Sequence, residues 1–220
     1  QRLDHVQHLD EKLIAAEKEQ DALFLQLQDI AAVISAGRKK QAAPFEKKVN
    51  GLLSQVGMPN AKLKVDLHNT SLNEFGYDAI EFLFDANNNG QLLPLRKVAS
   101  GGEVSRLMLC IKSLVAASVD LPTLIFDEID SGISGEAAKQ VGIIMKNLSQ
   151  TRQVICITHQ PQIASKADVH YFVFKETRRG KTVANIRLLD HNERVSAIAQ
   201  MLGGEQPTAA AVENAREMIE

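Results

Sequence analysis

Apolar residues near the start of the chain recur at alternating steps of three and four: Val6, Leu9, Leu13, Ala16, Leu23, Leu27, Ile30 and Ile34. That rhythm is the seam of a coiled coil, broken only at Gln20, and a single polar seam position is tolerated because it fixes register. Glu11, Lys12, Glu17, Lys18 and Glu19 flank the seam with both signs of charge. An amphipathic helix packed on a globular body would show the same stripe over so short a length, so both readings stand. Gly37 and Pro44 are expected to interrupt this helix, since proline has no amide donor and its ring clashes with the preceding turn. Pro44 can open a second helix that runs to about Val56, where Gly57, Met58 and Pro59 form a stop. The division predicted is an arm segment over residues 1–43 and a lobe over 44–220.

The period then shortens to two. "KLKVDLHN" (Lys62–Asn69) and "YDAIEFLFDAN" (Tyr77–Asn87) alternate, which predicts two strands with one wet face each, and the tip "NNNG" (Asn87–Gly90) is strong turn chemistry. Farther on, a helix from about Gly102 to Val119, a strand Thr123–Phe126, a helix from about Ser134 to Leu148 and a strand Gln153–Ile157 follow in turn. These strands lack polar alternation, as buried parallel strands do. A short helix near Gln160–Ser165, strand-like runs Val169–Lys175 and Thr182–Leu189, and two helical segments complete the chain. The fold class expected is α/β: a mainly parallel sheet with flanking helices and a β-hairpin, preceded by a coiled-coil helix.

Composition changes this picture little. With 45% hydrophobic and 24% charged residues among 220, the chain can build a real core, and a formal charge of −2 supplies no global basic field. Contact with nucleic acid would therefore need a local patch. Arg38-Lys39-Lys40, Lys47-Lys48 and Arg178-Arg179 with Lys181 carry no interleaved aromatic residues, and such runs read first as solvated faces. Cys110 and Cys156 sit in separate apolar runs and read as reduced, buried residues of a cytosolic protein. His5, His8, His68, His170 and His191 show no metal spacing. No apolar run approaches the roughly 18 residues of a membrane span, and no signal peptide opens the chain, so a cytoplasmic location is expected. Gln1 already lies inside the helical pattern, which suggests that an N-terminal portion of a longer protein precedes it.

Three short stretches carry chemistry. In "VASGGEVSRLMLC", Ser100, Gly101 and Gly102 stand at the start of a long helix, where unpaired amide groups and small residues seat a phosphate; a plain Ser cap would look alike. In "TLIFDEIDSGISG", a strand delivers Asp127 and Glu128 to its carboxyl end, where ligands gather in α/β sheets. The first acid can hold Mg²⁺ through water and the second can deprotonate an attacking water, although such a pair can also simply cap the next turn. In "QVICITHQPQIA", another strand ends at Thr158 and His159.

Taken in order, Ser100-Gly101-Gly102-Glu103, "LIFDEIDSGI" and "CITHQPQIA" resemble the C-terminal half of an ABC-type ATPase head: signature motif, Walker B strand with its catalytic acid, D-loop and switch histidine. Within that superfamily the stretches look most like the RecN family of bacterial SMC-like DNA repair proteins, closely over about Leu92–Gly203. The tail "RVSAIAQMLGG" also looks like that family's C-terminal region. The resemblance implies that Ser100, Gly101 and Gly102 bind the γ-phosphate of an ATP held by a second head of a homodimer, with Glu103 and Arg106 supporting the helix. Asp127 would contact the Mg²⁺ shell, Glu128 would be the general base, His159 would sense the γ-phosphate, and Asp130 and Ser131 would lie at the dimer seam. Ala99-Ser-Gly-Gly-Glu103 departs from the transporter signature Leu-Ser-Gly-Gly-Gln and favours the SMC-like branch. The activity implied is ATP hydrolysis in recombinational repair of DNA double-strand breaks, in the cytoplasm at the nucleoid.

The phosphate-binding Walker A loop is missing. The only Gly-Lys-Thr, Gly180–Thr182, has Lys175 where that loop's first glycine belongs and separates two strand-like runs, so it reads as a hairpin turn. The chain alone is thus predicted inactive, needing the N-terminal half of the same head as a partner. An ABC transporter subunit and a non-catalytic coiled-coil interaction module are the rival readings; the seam Val6–Ile34 argues against the first.

Overall fold

The computed structural model describes residues 2–98, 101–115, 121–178 and 181–220. Helix α1 runs from Arg2 to Gln55, 54 residues with Pro44 inside it. Here the expectation of two helices fails: neither Gly37 nor Pro44 ends the helix. A mid-helix proline costs about 3 kcal/mol, but packing holds both sides of it to one support. Before Pro44, Ala31 and Ser35 are buried, and Ser35 Oγ donates to Asp78 Oδ1 at 2.7 Å. After it, Val49 and Leu53 are fully buried and Asn50 pairs with the backbone of Leu63 through both its amide atoms. Gly57, at φ +81°, makes the expected stop, and the Met58 amide donates back to the Leu53 carbonyl.

The support is an antiparallel hairpin of β1 (Lys62–Asn73) and β2 (Gly76–Asp85), edged by the short β3 (Leu93–Pro94). Asp78 on β2 is buried and also pairs with Arg38, at 3.2 Å, which commits one member of the basic 38–40 cluster to the protein itself. Asp85 closes the Asn-rich tip by accepting the amides of Asn87, Asn89 and Gly90. After β3 come α2 (Gly101–Val115), β4 (Thr123–Phe126), α3 (Gly135–Ser149), β5 (Gln153–Cys156) and the single-turn α4 (Pro161–Ala164). β4 and β5 pair in parallel. β6 (Tyr171–Arg178) and β7 (Lys181–Leu188) pair antiparallel with Arg178 opposite Lys181 and Thr177 opposite Thr182, so Lys181 and Thr182 of the Gly-Lys-Thr lie on a strand of a hairpin; Gly180 lies outside the described residues. Helices α5 (His191–Gly203) and α6 (Ala209–Ile219) follow, α5 opened by a capping box between Asp190 and Glu193.

One core joins the root of α1 (Val49, Leu53, Val56) to Leu63, Phe84, Leu107, Phe126, Ile129 and the inner face of α3. A smaller one gathers Ala164, Val195, Ile198, Ala199 and Ala215. Apolar surface stays bare on the seam of α1, with Leu13, Leu23, Leu27 and Ile30 all more than half exposed, on one face of the parallel pair, with Ile125 63% and Ile157 59% exposed, and on the β6–β7 hairpin, with Val173 and Ile186 both 66% exposed. No helix among the described residues is long and apolar enough to cross a membrane.

Two of the buried aspartates, Asp78 and Asp85, set an acid limit. The Ser35 hydroxyl, with Arg38 beside it, holds Asp78 below its ordinary value of 3.8. Burial alone would raise Asp85, but the amides it accepts outweigh that and hold it low as well. A depressed folded value means stabilisation that is present above the unfolded value and disappears as pH falls through the folded one. Urea midpoints should therefore drop as pH falls below about 4, and Asp85→Asn should flatten part of that drop.

Candidate functional site

The parallel register, Thr123 opposite Gln153 through Phe126 opposite Cys156, brings the carboxyl ends of β4 and β5 to the same edge. Asp127 and Glu128 emerge there, both exposed, while Ile129 and Ile133 sink into the core and pin the turn from below. The Glu128 amide donates to Asp127 Oδ1 at 2.9 Å, and the Ser131 amide to the Glu128 carbonyl at 3.1 Å. Glu128 itself stands at φ +55°. A left-handed backbone at a long side chain costs on the order of 1–3 kcal/mol and persists only where the surroundings dictate it; here the buried isoleucines and the turn bonds do so.

The first turn of α2 lies against this acid turn. A Cβ at Gly102 would come within 2.9 Å of Ser131 Cβ and 3.3 Å of the Glu128 and Ser131 carbonyl oxygens, and one at Gly101 within 3.1 Å of Glu128 Oε2. The glycines thus have a packing role inside one chain, separate from the close approach of an anion. Ser100 lies outside the described residues. Ser105 donates to the Asp127 carbonyl at 3.2 Å, and the buried Arg106 guanidinium donates to the Ser131 carbonyl at 2.5 Å and the Ile129 carbonyl at 3.4 Å. Burial pulls Arg106 below its ordinary value and Glu103, in the first turn of α2, opposes the shift. Because backbone oxygens crowd its Cβ position, Gly102→Ala should cost about 1–3 kcal/mol of stability in urea unfolding.

Behind the acids, Asp130 is 4% exposed and its carboxylate turns inward. Its Oδ2 accepts the Thr158 hydroxyl at 2.6 Å and the His159 amide at 2.8 Å, and His159 Nδ1 lies 3.1 Å away. Burial alone would raise this carboxyl; the hydrogen bonds from Thr158 and His159 outweigh it and hold it low. Gln160 completes the link, its amide donating to Thr158 Oγ1 at 3.0 Å and its side chain to the Ile133 carbonyl at 3.0 Å. The structure thus gathers Asp127, Glu128, Gly101, Gly102, Ser131 and His159 around one edge of the β4–β5 pair, with Asp130 beneath it. Ser105 is given no role by the sequence, and Thr158 and Gln160 mark only a strand end and a helix start there. A Thr and a Gln flanking a histidine at a strand end are the signal that could have marked the latter two.

Among the described residues no group of three or more His, Cys, Asp or Glu side chains could hold a metal ion. Asp127 keeps one carboxylate oxygen besides the one bonded to Glu128. That donor set fits a cation taking most of its oxygens from water and phosphate, as Mg²⁺ does, and not an all-protein cage.

No family model matches the chain. It is 37% identical over 212 residues to the DNA repair protein RecN of Vibrio cholerae, covering 96% of this chain and 38% of that protein. It is 40% identical over 214 residues to RecN of Haemophilus influenzae, with 96% and 38% covered. RecN of Deinococcus radiodurans is 39% identical over 202 residues, with 90% and 35% covered. The chain therefore spans under two-fifths of the length of these curated relatives. Among solved structures, the Smc head domain with a coiled coil and joint from Pyrococcus yayanosii superposes with a TM-score of 0.58 at 19% identity, covering 84% of this chain and 34% of that one. The Smc head domain with an extended coiled coil from Pyrococcus furiosus, bound to the C-terminal domain of ScpA, gives 0.52 at 18%, covering 78% and 42%. These two share the fold. In sequence the chain matches the RecN proteins over 90–96% of its length, consistent with a C-terminal portion of one.

Proposed function

We propose that this chain is the C-terminal lobe of an SMC-like ATPase head, residues 44–220, with the adjoining segment of its coiled-coil arm, residues 1–43, acting in recombinational DNA repair in the cytoplasm at the nucleoid. The observation that carries the reading is the shared edge: one parallel strand pair sets Asp127 and Glu128 beside His159, with the start of α2 packed against the same turn. In this reading ATP sits between two heads of a homodimer. Mg²⁺ would neutralise charge building on the phosphates. Asp127 holds its hydration shell, Glu128 takes the proton of the attacking water, and His159 contacts the γ-phosphate. Ser100, Gly101, Gly102 and Glu103 serve the ATP bound by the other head, and the Asp130–Ser131 turn lies near the seam between them.

The bare face of β4 and β5 supports a missing N-terminal lobe that carries the phosphate-binding loop, since apolar surface of this kind is normally covered. The exposed seam of α1 supports a partner helix in the arm. DNA is the nucleic-acid partner. This chain by itself should hydrolyse little or no ATP. Magnesium-dependent phosphate release by the 220-residue chain alone, abolished by Glu128→Gln, would contradict the division of the head into two lobes.

A further inference from the structure

Asp130 is the most thoroughly engaged buried acid near the site, and its partners all lie on one short segment. A single oxygen, Oδ2, faces the Thr158 hydroxyl, the His159 amide and His159 Nδ1. Its side chain is 4% exposed while that of His159 is 76% exposed, so the carboxylate stands behind a ring whose far edge is open. We propose that Asp130 is a positioning residue for His159, fixing its backbone, the orientation of its ring and the proton on Nδ1.

The chemistry follows from lone pairs. An imidazole nitrogen 3.1 Å from a carboxylate oxygen meets repulsion there if it carries a bare lone pair, so the neutral ring keeps its hydrogen on Nδ1, the nitrogen next to Oδ2. Nε2 is then left as the outward nitrogen. In the neutral ring it is an acceptor that faces away from the carboxylate. Thr158 adds rigidity from the side: its hydroxyl donates to Asp130 and accepts from the Gln160 amide, so backbone and ring are held by one network.

The same network ties His159 to the start of α2. Asp130 lies between Ile129 and Ser131, whose carbonyl oxygens the Arg106 guanidinium holds. A shift of α2 would be felt at the histidine through two side chains. This assignment deepens the proposed function, on which the hydrolytic consequence rests; the ring geometry does not depend on it.

Two measurements test it. In the chain labelled with ¹⁵N-histidine and without nucleotide, long-range ¹H–¹⁵N correlation should show neutral His159, assigned by its loss in His159→Gln, with hydrogen on Nδ1. Hydrogen on Nε2 would overturn the proposal whatever the enzyme does. In the complete protein, Asp130→Asn should lower kcat for ATP roughly tenfold or more with KM unchanged, the usual size for loss of a residue that orients a functional histidine. In a His159→Gln background the same substitution should have no further effect. Equal losses in both backgrounds would overturn the positioning role. Full turnover by His159→Gln alone would remove His159 from hydrolysis, a failure of the proposed function that leaves the tautomer result standing.

Discussion

In the complete protein, Glu128→Gln is expected to lower ATP turnover by about 10²–10⁴-fold, the usual contribution of a positioned general base. Glutamine keeps the length and shape of the side chain and loses the ability to take a proton. Glu128 is exposed, and its left-handed backbone is imposed by bonds through main-chain atoms and by the buried Ile129 and Ile133. The substitution should therefore leave the fold alone. Steady-state phosphate release, with the thermal midpoint as control, measures it. A loss below about tenfold, at an unchanged midpoint, would mean that another group takes the proton.

Phe84→Ala is expected to cost about 3–5 kcal/mol. Phe84 is 1% exposed on the inner side of β2 and belongs to the core that also holds Leu53 of α1, Leu107 of α2 and Phe126 of β4. Removing the ring leaves a cavity where the root of the arm, the hairpin and the parallel pair meet. For a chain of this size that corresponds to a fall in melting temperature of roughly 6–20 °C. Leu27→Ala, on the exposed seam, should stay within about 0.5 kcal/mol in the same chain. Comparable losses at the two sites would show that the seam is already packed in the chain alone.

Much of this architecture is legible in the sequence, because the signals that specify it are local. Alternation marks β1 and β2, uniform apolar runs mark β4 and β5, and Gly57 marks the end of α1. The proline misleads for a tertiary reason. Its local cost favours a break, but Ser35 and Arg38 before it and Asn50 and Leu53 after it all fasten to the same hairpin, and that packing outweighs it. No local signal announces Asp78, whose partners on α1 are 40 and 43 residues away.

In the site, the order of acids and histidine is readable, while their mutual geometry is not. Asp130 stands 29 residues from the histidine it holds. Its resemblance to a seam residue says nothing about which way its carboxylate turns. The glycines of α2 are readable as a phosphate seat, yet the 2.9 Å approach of Gly102 to Ser131 follows only from the packing of α2 on the acid turn.

The central claim is that two heads complete each other's nucleotide site, so binding and pairing are linked. The direct test is the mass of the complete protein carrying Glu128→Gln, measured by light scattering with ATP and Mg²⁺ and again without nucleotide. The protein is expected to be a dimer with ATP that reverts to monomer without it, and to form no dimer when Ser100→Arg blocks the seat. A monomer that persists in saturating ATP and Mg²⁺, from a folded protein that binds the nucleotide, would contradict it.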